Sequence, residues 1–397
     1  MVSEDFFLIN IKRYRPRHFA NGLTPIWSKV PVSRRSSVFI LLFLGNMGEL
    51  RVVLTKRSSR LRNFPGHISL PGGKSDSVEE TEWDVARREM EEEIGLSADN
   101  EKLKNDYGFE IQHLNTLPCY LSRTFSAVKP CIGFMRSTSN SSTTQLEKTI
   151  QMHLNPGESS SIFSCPLKDF LYPSPIAPRE NDPKPLESID RSSLKVEWGK
   201  IPWNLRSYTF PQYNPNEVEW LKNIKDLSES DSEYSRSPSP LGEPSGGDPS
   251  GKPSESQQML EPLERASEEA EKQIAAEIKK SKKNKLKEWG RLGSRRDSLT
   301  NEKIYDVWGL TANILHDLAE ITYTSSPDSD TREISRELGE EELIYSLFEY
   351  GNQLQKRERS PEESKLISST TAEDELGFND VLPRTEFNRL KRLYTNK

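Results

Sequence analysis

GGKSDSVEETEWDVARREMEEEIGL, residues 72–96, carries the densest pattern in the chain. A glycine pair opens it, a short polar loop follows, and the remainder is helix-forming. At about 100° per residue, Glu82, Glu89, Glu92 and Glu93 fall on one helix face. Trp83, Ala86, Met90 and Ile94 form an apolar stripe beside them, and Gly95 is the expected C-cap. Like charges at i,i+3 and i,i+4 destabilise an isolated helix by roughly 0.2–0.5 kcal/mol each. Such a cluster asks for a counter-charge, and a hard divalent cation bound by carboxylate oxygens supplies one. The alternative is a solvated acidic face on an ordinary amphipathic helix.

Taken whole, the string resembles the Nudix box. Gly73 and a spaced glutamate precede Arg88-Glu89-Met90-Glu91-Glu92-Glu93-Ile94-Gly95-Leu96, which matches the run R-E-U-x-E-E-x-G-U, U being a bulky apolar residue. Six residues separate Gly73 from Glu80, one more than the box usually carries. Glu79 restores that spacing but then stands one residue too far from Arg88. The first box glutamate stays open between the two. The resemblance implies an α/β/α sandwich with a mixed sheet and a metal-dependent attack of water on a diphosphate. It assigns Mg²⁺ or Mn²⁺ to Glu89, Glu92 and Glu93, with the Gly73 carbonyl nearby. Glu92 and Glu93 are then ligands, and Glu89 is a ligand or the base that takes the water's proton. Arg88, one turn before Glu92, is placed to hold that carboxylate.

Upstream, residues 55–73 read TKRSSRLRNFPGHISLPGG, with Lys56, Arg57, Arg60 and Arg62 close together. By itself this is a basic hairpin loop. Directly before the box it is similar to the signature of coenzyme A diphosphatases, with Leu70 where Phe is usual before P-G-G. The similarity implies coenzyme A or a derivative as substrate and 3′,5′-ADP and 4′-phosphopantetheine as products. Arg57, Arg60, Arg62 and Lys56 then become candidates for the diphosphate and the 3′-phosphate, since guanidinium binds phosphate bidentately. Downstream, the N-P-x-E segment at 155–158 also resembles this branch and makes Glu158 a further candidate metal ligand; an ordinary surface turn is the other reading. Two further functions compete. One is Nudix hydrolysis of another substrate, such as an oxidised nucleoside triphosphate or a dinucleotide like NADH. The other is a non-catalytic scaffold acting through its Ser/Pro-rich insert, although a scaffold would not need three intact carboxylates and Arg88.

The whole chain has 397 residues, 33% hydrophobic and 29% charged, so much of it is not expected in a packed core. A net charge of -6 gives no footprint for nucleic acid. Cys119, Cys131 and Cys165 lack metal-ligand spacing and read as buried thiols in a reducing compartment. No apolar run reaches the roughly 18 residues of a membrane span. Acids at Glu4 and Asp5 ahead of Lys12, Arg13, Arg15 and Arg17 count against a transit peptide, and residues 1–35 are expected as an extension with a short packed element. Strands are expected at 38–44, 51–55, 109–121 and 127–135, and one more strand or edge ribbon at 196–211 after a linker at 172–192. The main Nudix part then spans 36–225. Residues 226–300 read as a low-complexity insert ending in a charged helix at 260–289. A closing helix is expected within 301–325, with Val307, Leu310, Ile314, Leu318 and Ile321 at helical spacing. A further helix is expected within 326–356, and a polar, disordered tail over 357–397. Ser237, Ser239 and Ser298 are candidate kinase sites. The chain ends Tyr394-Thr395-Asn396-Lys397, which is not a peroxisomal tripeptide, and Ser364-Lys365-Leu366 is internal. The resemblance to the coenzyme A branch implies a peroxisomal enzyme, with import depending on another signal, or else a cytosolic one.

Overall fold

Alternation along the apolar run at 38–44 sets the architecture. A strand sends successive side chains to opposite faces. Here Phe39, Leu41 and Phe43 enter one core while Ile40 and Leu42 enter another, so both faces of the strand are covered. The computed structural model describes residues 4–15, 25–138, 150, 152–171, 187–222, 224, 227, 294–297, 300–323, 336–368 and 376–395. All of these belong to one unit formed by Met1–Glu229 and Gly293–Lys397.

The chain begins with α1 (Glu4–Arg13), which buries Leu8 and Ile11, and α2 (Ile26–Lys29), which buries Ile26 and Trp27. Next come β1 (Arg35–Leu44), β2 (Leu50–Arg57), β3 (Ile68–Ser69) and β4 (Gly72–Lys74), and then the box helix α3 (Glu82–Ile94). A helix that the sequence reading did not separate, α4 (Asn100–Tyr107), is capped by Asp99 and ended by Gly108 at φ 73°. The sheet is completed by β5 (Phe109–Thr116), β6 (Tyr120–Leu121), β7 (Ala127–Ser137) and β8 (Ser159–Pro166). β1 pairs antiparallel with β2 and β4 and parallel with β7, so the sheet is mixed. Its order is β3-β2-β1-β7-β5, with β8 on β2 and β6 on β7.

Residues 196–211, expected as one more strand or an edge ribbon, are the greater part of a hairpin. β9 (Asp190–Trp198) and β10 (Ile201–Pro211) turn at Gly199 and Lys200, both at positive φ, the backbone a tight two-residue hairpin demands. The short helix α5 (Glu219–Lys222) buries Trp220 and Leu221. β11 (Ser294–Arg296) and β12 (Lys303–Trp308) join the hairpin in a second sheet, ordered β11-β12-β10-β9. This corrects the closing helix expected within 301–325, to which Val307 was assigned. KIYDVW is a strand paired with β10, and helix α6 (Gly309–Tyr323) starts at Gly309, φ 64°. Ile304, Tyr305, Val307 and Trp308 in so short a segment satisfy either period, and the glycine marks where the chain turns. α6 places Ala312, Leu315, Leu318 and Ala319 in the core shared with Ile40 and Leu42, while α3 places Ala86, Met90 and Ile94 in the core of Phe39 and Leu41. The central sheet is thus sandwiched between these two helices, as expected.

Three further expectations change. Of the linker at 172–192, residues 187–192 are fixed: Glu187 pairs with the fully buried Arg51 at 2.9 Å and β9 begins at Asp190. The helix expected within 326–356 is confined to α7 (Glu341–Glu349). The tail at 357–397 contains α8 (Pro361–Ser368), α9 (Phe378–Val381) and α10 (Arg384–Thr395). Leu366, Phe378, Leu390 and Tyr394 are buried with Trp27, Trp198 and Ile201. The insert expected over 226–300, its charged helix and its candidate serines lie outside the described residues, apart from 227, 294–297 and 300.

On α6, buried His316 has Nδ1 2.6 Å from the Phe170 carbonyl and 3.1 Å from the Tyr208 hydroxyl. Burial, with Arg206 and Arg336 adding and Asp317 opposing, pushes its pKa down to about 4. The unfolded chain regains a value near 6.5. Stability from this group is therefore complete above about pH 6.5 and lost as pH falls towards 4. His316→Asn keeps a polar partner without the proton uptake. Thermal melts are expected to show a shallower decline between pH 6.5 and 4 for the variant; parallel declines would remove His316 as the cause.

Candidate active site

The box helix is fixed at both ends. At its start Thr81 and Asp84 form a reciprocal capping box, each side chain accepting from the other's backbone N–H at 3.2 and 3.0 Å. At its end Gly95 sits at φ 76°. The terminal carbonyls of Glu93 and Ile94, which lack intrahelical donors, accept from the amides of Asn155 and His153 at 3.3 and 3.1 Å. That docking carries the N-P-x-E segment to the helix and places Glu158 beside the box.

The carboxylates differ in ways their spacing does not reveal. Glu93 is buried, accepting from the Gly72 amide and the Thr55 hydroxyl, each at 3.4 Å. Burial pushes its pKa up to about 8; Arg57 opposes the rise, and Glu89 and Glu158 add to it. Glu89 packs against Gly73 so closely that a Cβ there would strike its carboxylate, which explains the glycine. Burial pushes Glu89 up to about 6, against the pull of Arg88. Glu92 remains open to solvent. Glu158 has a buried Oε2 with no hydrogen-bond partner. An orphaned carboxylate oxygen facing two desolvated carboxylates and a glycine backbone is a hard-oxygen donor set, and these residues fit a divalent cation. As the side chains stand, no three acidic, histidine or cysteine groups converge on one point among the described residues. Mutual repulsion accounts for that: Glu89 turns to Arg88 and Glu93 to the Gly72 amide.

Arg88 is the hub of this acidic face. Its Nε donates to Glu80 at 2.8 Å, its Nη1 to Glu89 and Glu92 at 3.1 and 3.3 Å, and its Nη2 to the Lys74 carbonyl at 2.8 Å. The choice between Glu79 and Glu80 thus falls to Glu80, which also accepts from the Asp76 amide at 2.7 Å, while Glu79 is exposed. Burial alone would raise the Glu80 pKa, but Arg88 and the Asp76 and Ser77 amides outweigh it and hold the group below its ordinary value. The loop at 75–80 absorbs the extra residue in the box spacing.

The basic segment divides. Arg57 is the last residue of β2, at an irregularity in its pairing with β8, and its charge acts on both Glu93 and His67. Lys56 is half-buried, and Arg60 and Arg62 stand on the exposed turn beyond. The structure brings Arg57 to the carboxylates and leaves Arg60 and Arg62 further along the same rim. Sequence reading missed Thr55 and the aromatic residues Phe64, His67 and Trp308 around this rim; none carries a spacing signal.

A NUDIX domain model matches residues 33–182. Peroxisomal coenzyme A diphosphatase 1 of Saccharomyces cerevisiae is 34% identical over 96% of this chain and 94% of its own. This chain belongs to the Nudix hydrolases, in the coenzyme A diphosphatase branch. Arabidopsis thaliana Nudix hydrolase 15, mitochondrial, is 36% identical over 38% of this chain and 48% of its own length. A peroxisomal coenzyme A diphosphatase of Mus musculus is 30% identical over 36% and 50%. The yeast similarity extends well beyond the Nudix match, into the second sheet and the C-terminal helices.

In this Nudix site Glu80→Gln removes the charge that holds Arg88. A charge-assisted hydrogen bond is worth roughly 1.5–3 kcal/mol, so turnover is expected to fall about tenfold or more, while Glu79→Gln is neutral. Steady-state rates of the two variants side by side decide it; the opposite ranking would return the box role to Glu79.

Proposed function

We propose that this Nudix hydrolase cleaves the diphosphate of coenzyme A or a derivative to 3′,5′-ADP and (acyl-)4′-phosphopantetheine. The observation that carries the reading is the juxtaposition of Arg57 with Glu93: the strand that leads into the basic segment ends where the box carboxylates are buried. A diphosphate lying across that junction would have its reacting phosphorus at the carboxylates and its second phosphate group on guanidinium. The full-length similarity to the yeast enzyme supports the same substrate.

Nudix hydrolases generally require a divalent metal, and we assign Mg²⁺ or Mn²⁺ to Glu89, Glu92, Glu93 and Glu158 with the Gly73 carbonyl. When bound, such an ion supplies neutralisation of the diphosphate charge and acidifies an attacking water. The chain's own residues do the rest. Glu89, its pKa raised to about 6, is still ionised at neutral pH and can accept the proton released as the water oxygen bonds to phosphorus. Glu92, facing solvent, is a second candidate for that role. Arg88 keeps Glu89 and Glu92 oriented, and Glu80 keeps Arg88. Arg57, Arg60, Arg62 and Lys56 bind the phosphates of the ADP half, including the 3′-phosphate. The names of the yeast and mouse relatives place them in peroxisomes, and we assign this chain to the same compartment. No described helix is long and apolar enough to cross a membrane.

Turnover measured with coenzyme A, acyl-coenzyme A, 8-oxo-dGTP and NADH, each with Mg²⁺ or Mn²⁺, tests the substrate. Coenzyme A or its acyl form is expected to lead; NADH or 8-oxo-dGTP leading would overturn the reading. Glu93→Gln keeps the size of the side chain and one acceptor oxygen for the Gly72 amide, and the Thr55 hydroxyl can accept from the new NH2 group, so folding should be retained. Turnover is expected to fall at least a hundredfold, about 2.7 kcal/mol of transition-state stabilisation. Near-normal turnover at saturating Mg²⁺ would mean that the box helix is not the catalytic metal site. Arg62→Ala is expected mainly to raise KM, and more for coenzyme A than for dephospho-coenzyme A. Equal effects on the two would remove Arg62 as the reader of the 3′-phosphate.

A further inference from the structure

Beside Arg57 three rings meet that the functional reading leaves unused. The Phe64 and His67 ring centroids are 5.5 Å apart, and those of His67 and Trp308 5.3 Å. Phe64 is 45% exposed and sits at φ 53°, a left-handed conformation that bulky residues rarely adopt. Backbone strain of this kind collects at sites of function. A ring kept for packing would not be both strained and half in water.

The backbone ties the rings to the reaction centre. The Arg57 amide donates to the His67 carbonyl at 2.9 Å, and the Gly66 amide to the Arg57 carbonyl at 3.2 Å, so His67 lies directly across the hairpin from Arg57. The Thr311 hydroxyl reaches the Ile68 carbonyl at 3.5 Å, joining the first turn of α6 to β3 and bringing Trp308 alongside. Burial, reinforced by Arg57, lowers the pKa of His67, which leaves its ring uncharged at neutral pH. The order along the rim is therefore carboxylates, one guanidinium, then neutral aromatic faces. A phosphate followed by a flat heteroaromatic base has the same order. Aromatic side chains stack on bases through their π-faces, whereas the flexible, aliphatic pantetheine arm has no flat face to offer.

We propose that Phe64, His67 and Trp308 hold the adenine of the substrate by stacking, with Arg57 on the adjoining phosphate. The proposal rests on the coenzyme A reading of the site. The two reaction products separate the halves of the substrate, since 3′,5′-ADP carries the base and 4′-phosphopantetheine does not.

The test uses the full chain, Phe64→Ala and Phe64→Tyr. Product inhibition by 3′,5′-ADP is expected to weaken about tenfold in Phe64→Ala and to return towards wild type in Phe64→Tyr. Inhibition by 4′-phosphopantetheine should stay the same in all three, and the melting temperatures should agree. If inhibition by 4′-phosphopantetheine is what weakens, the rings pack the pantetheine arm and the proposal is overturned. Unchanged 3′,5′-ADP inhibition in Phe64→Ala overturns it equally. Failure of the wild type to hydrolyse coenzyme A would sink the functional reading by itself. Calorimetric titration of 3′,5′-ADP into wild type and Phe64→Ala would still decide the rings: tenfold weaker binding to the variant supports them, and equal binding or none to either protein overturns them.

Discussion

Carboxylates held out of water next to one another are the constraint to which the rest of this structure answers. The rise of the Glu93 pKa from 4.5 to about 8 corresponds to a cost on the order of 5 kcal/mol for keeping that group ionised. Glu89 adds a smaller cost of the same sign. Such a site persists only if the elements that carry it are over-determined. The box helix has a capping box at one end, a left-handed glycine and two docked amides at the other, and an apolar stripe embedded in the sheet. A bound cation would turn the same crowding to use, because charges that repel each other can serve as its ligands.

The distal part of the chain braces this arrangement. Arg34, immediately before β1, is buried and pairs with Glu363 of α8 at 2.6 Å. Lys129 of β7 lies 3.7 Å from Glu341 of α7, and Glu341 and Glu340 also accept from the amides of Cys119 and Leu121. Opposite charges buried together are worth little as net stability, but removing one partner strands the other in a low dielectric. The C-terminal helices therefore supply partners that the central sheet needs, which accords with a relative similar along nearly the whole chain.

Legibility followed the range of the interactions. The box could be read because its glycine, Arg88, the carboxylates Glu89, Glu92 and Glu93 and its caps lie within one local segment, whose pattern resembles a known family, and because carboxylates crowded onto one helix face repel each other. β1 could be read because a strand buried on both faces is continuously apolar. The C-terminal helices could not be read from composition. α10 is highly charged, yet Phe387, Leu390 and Tyr394 at helical spacing are buried, and Arg389 is spent on Glu342 and Glu386. A segment poor in apolar residues stays disordered only when its charges are left to solvent. β12 was misread for a different reason: a run of six residues fits both periods, and what decides is its pairing with β10 across a long separation in sequence.

The same distinction runs through the site itself. Reaction chemistry sits on one continuous stretch, so a motif captures it. The residues proposed to surround the substrate come from separate elements: Arg57 from the end of β2, Phe64 and His67 from the hairpin, Glu158 from the loop before β8, and Trp308 from β12. Loop-closure entropy grows only logarithmically with length, so a long intervening stretch adds little to the cost of bringing Trp308 to His67. In this chain the box carboxylates and the basic segment are written in neighbouring stretches, whereas the meeting of Trp308 with His67 is written in tertiary structure.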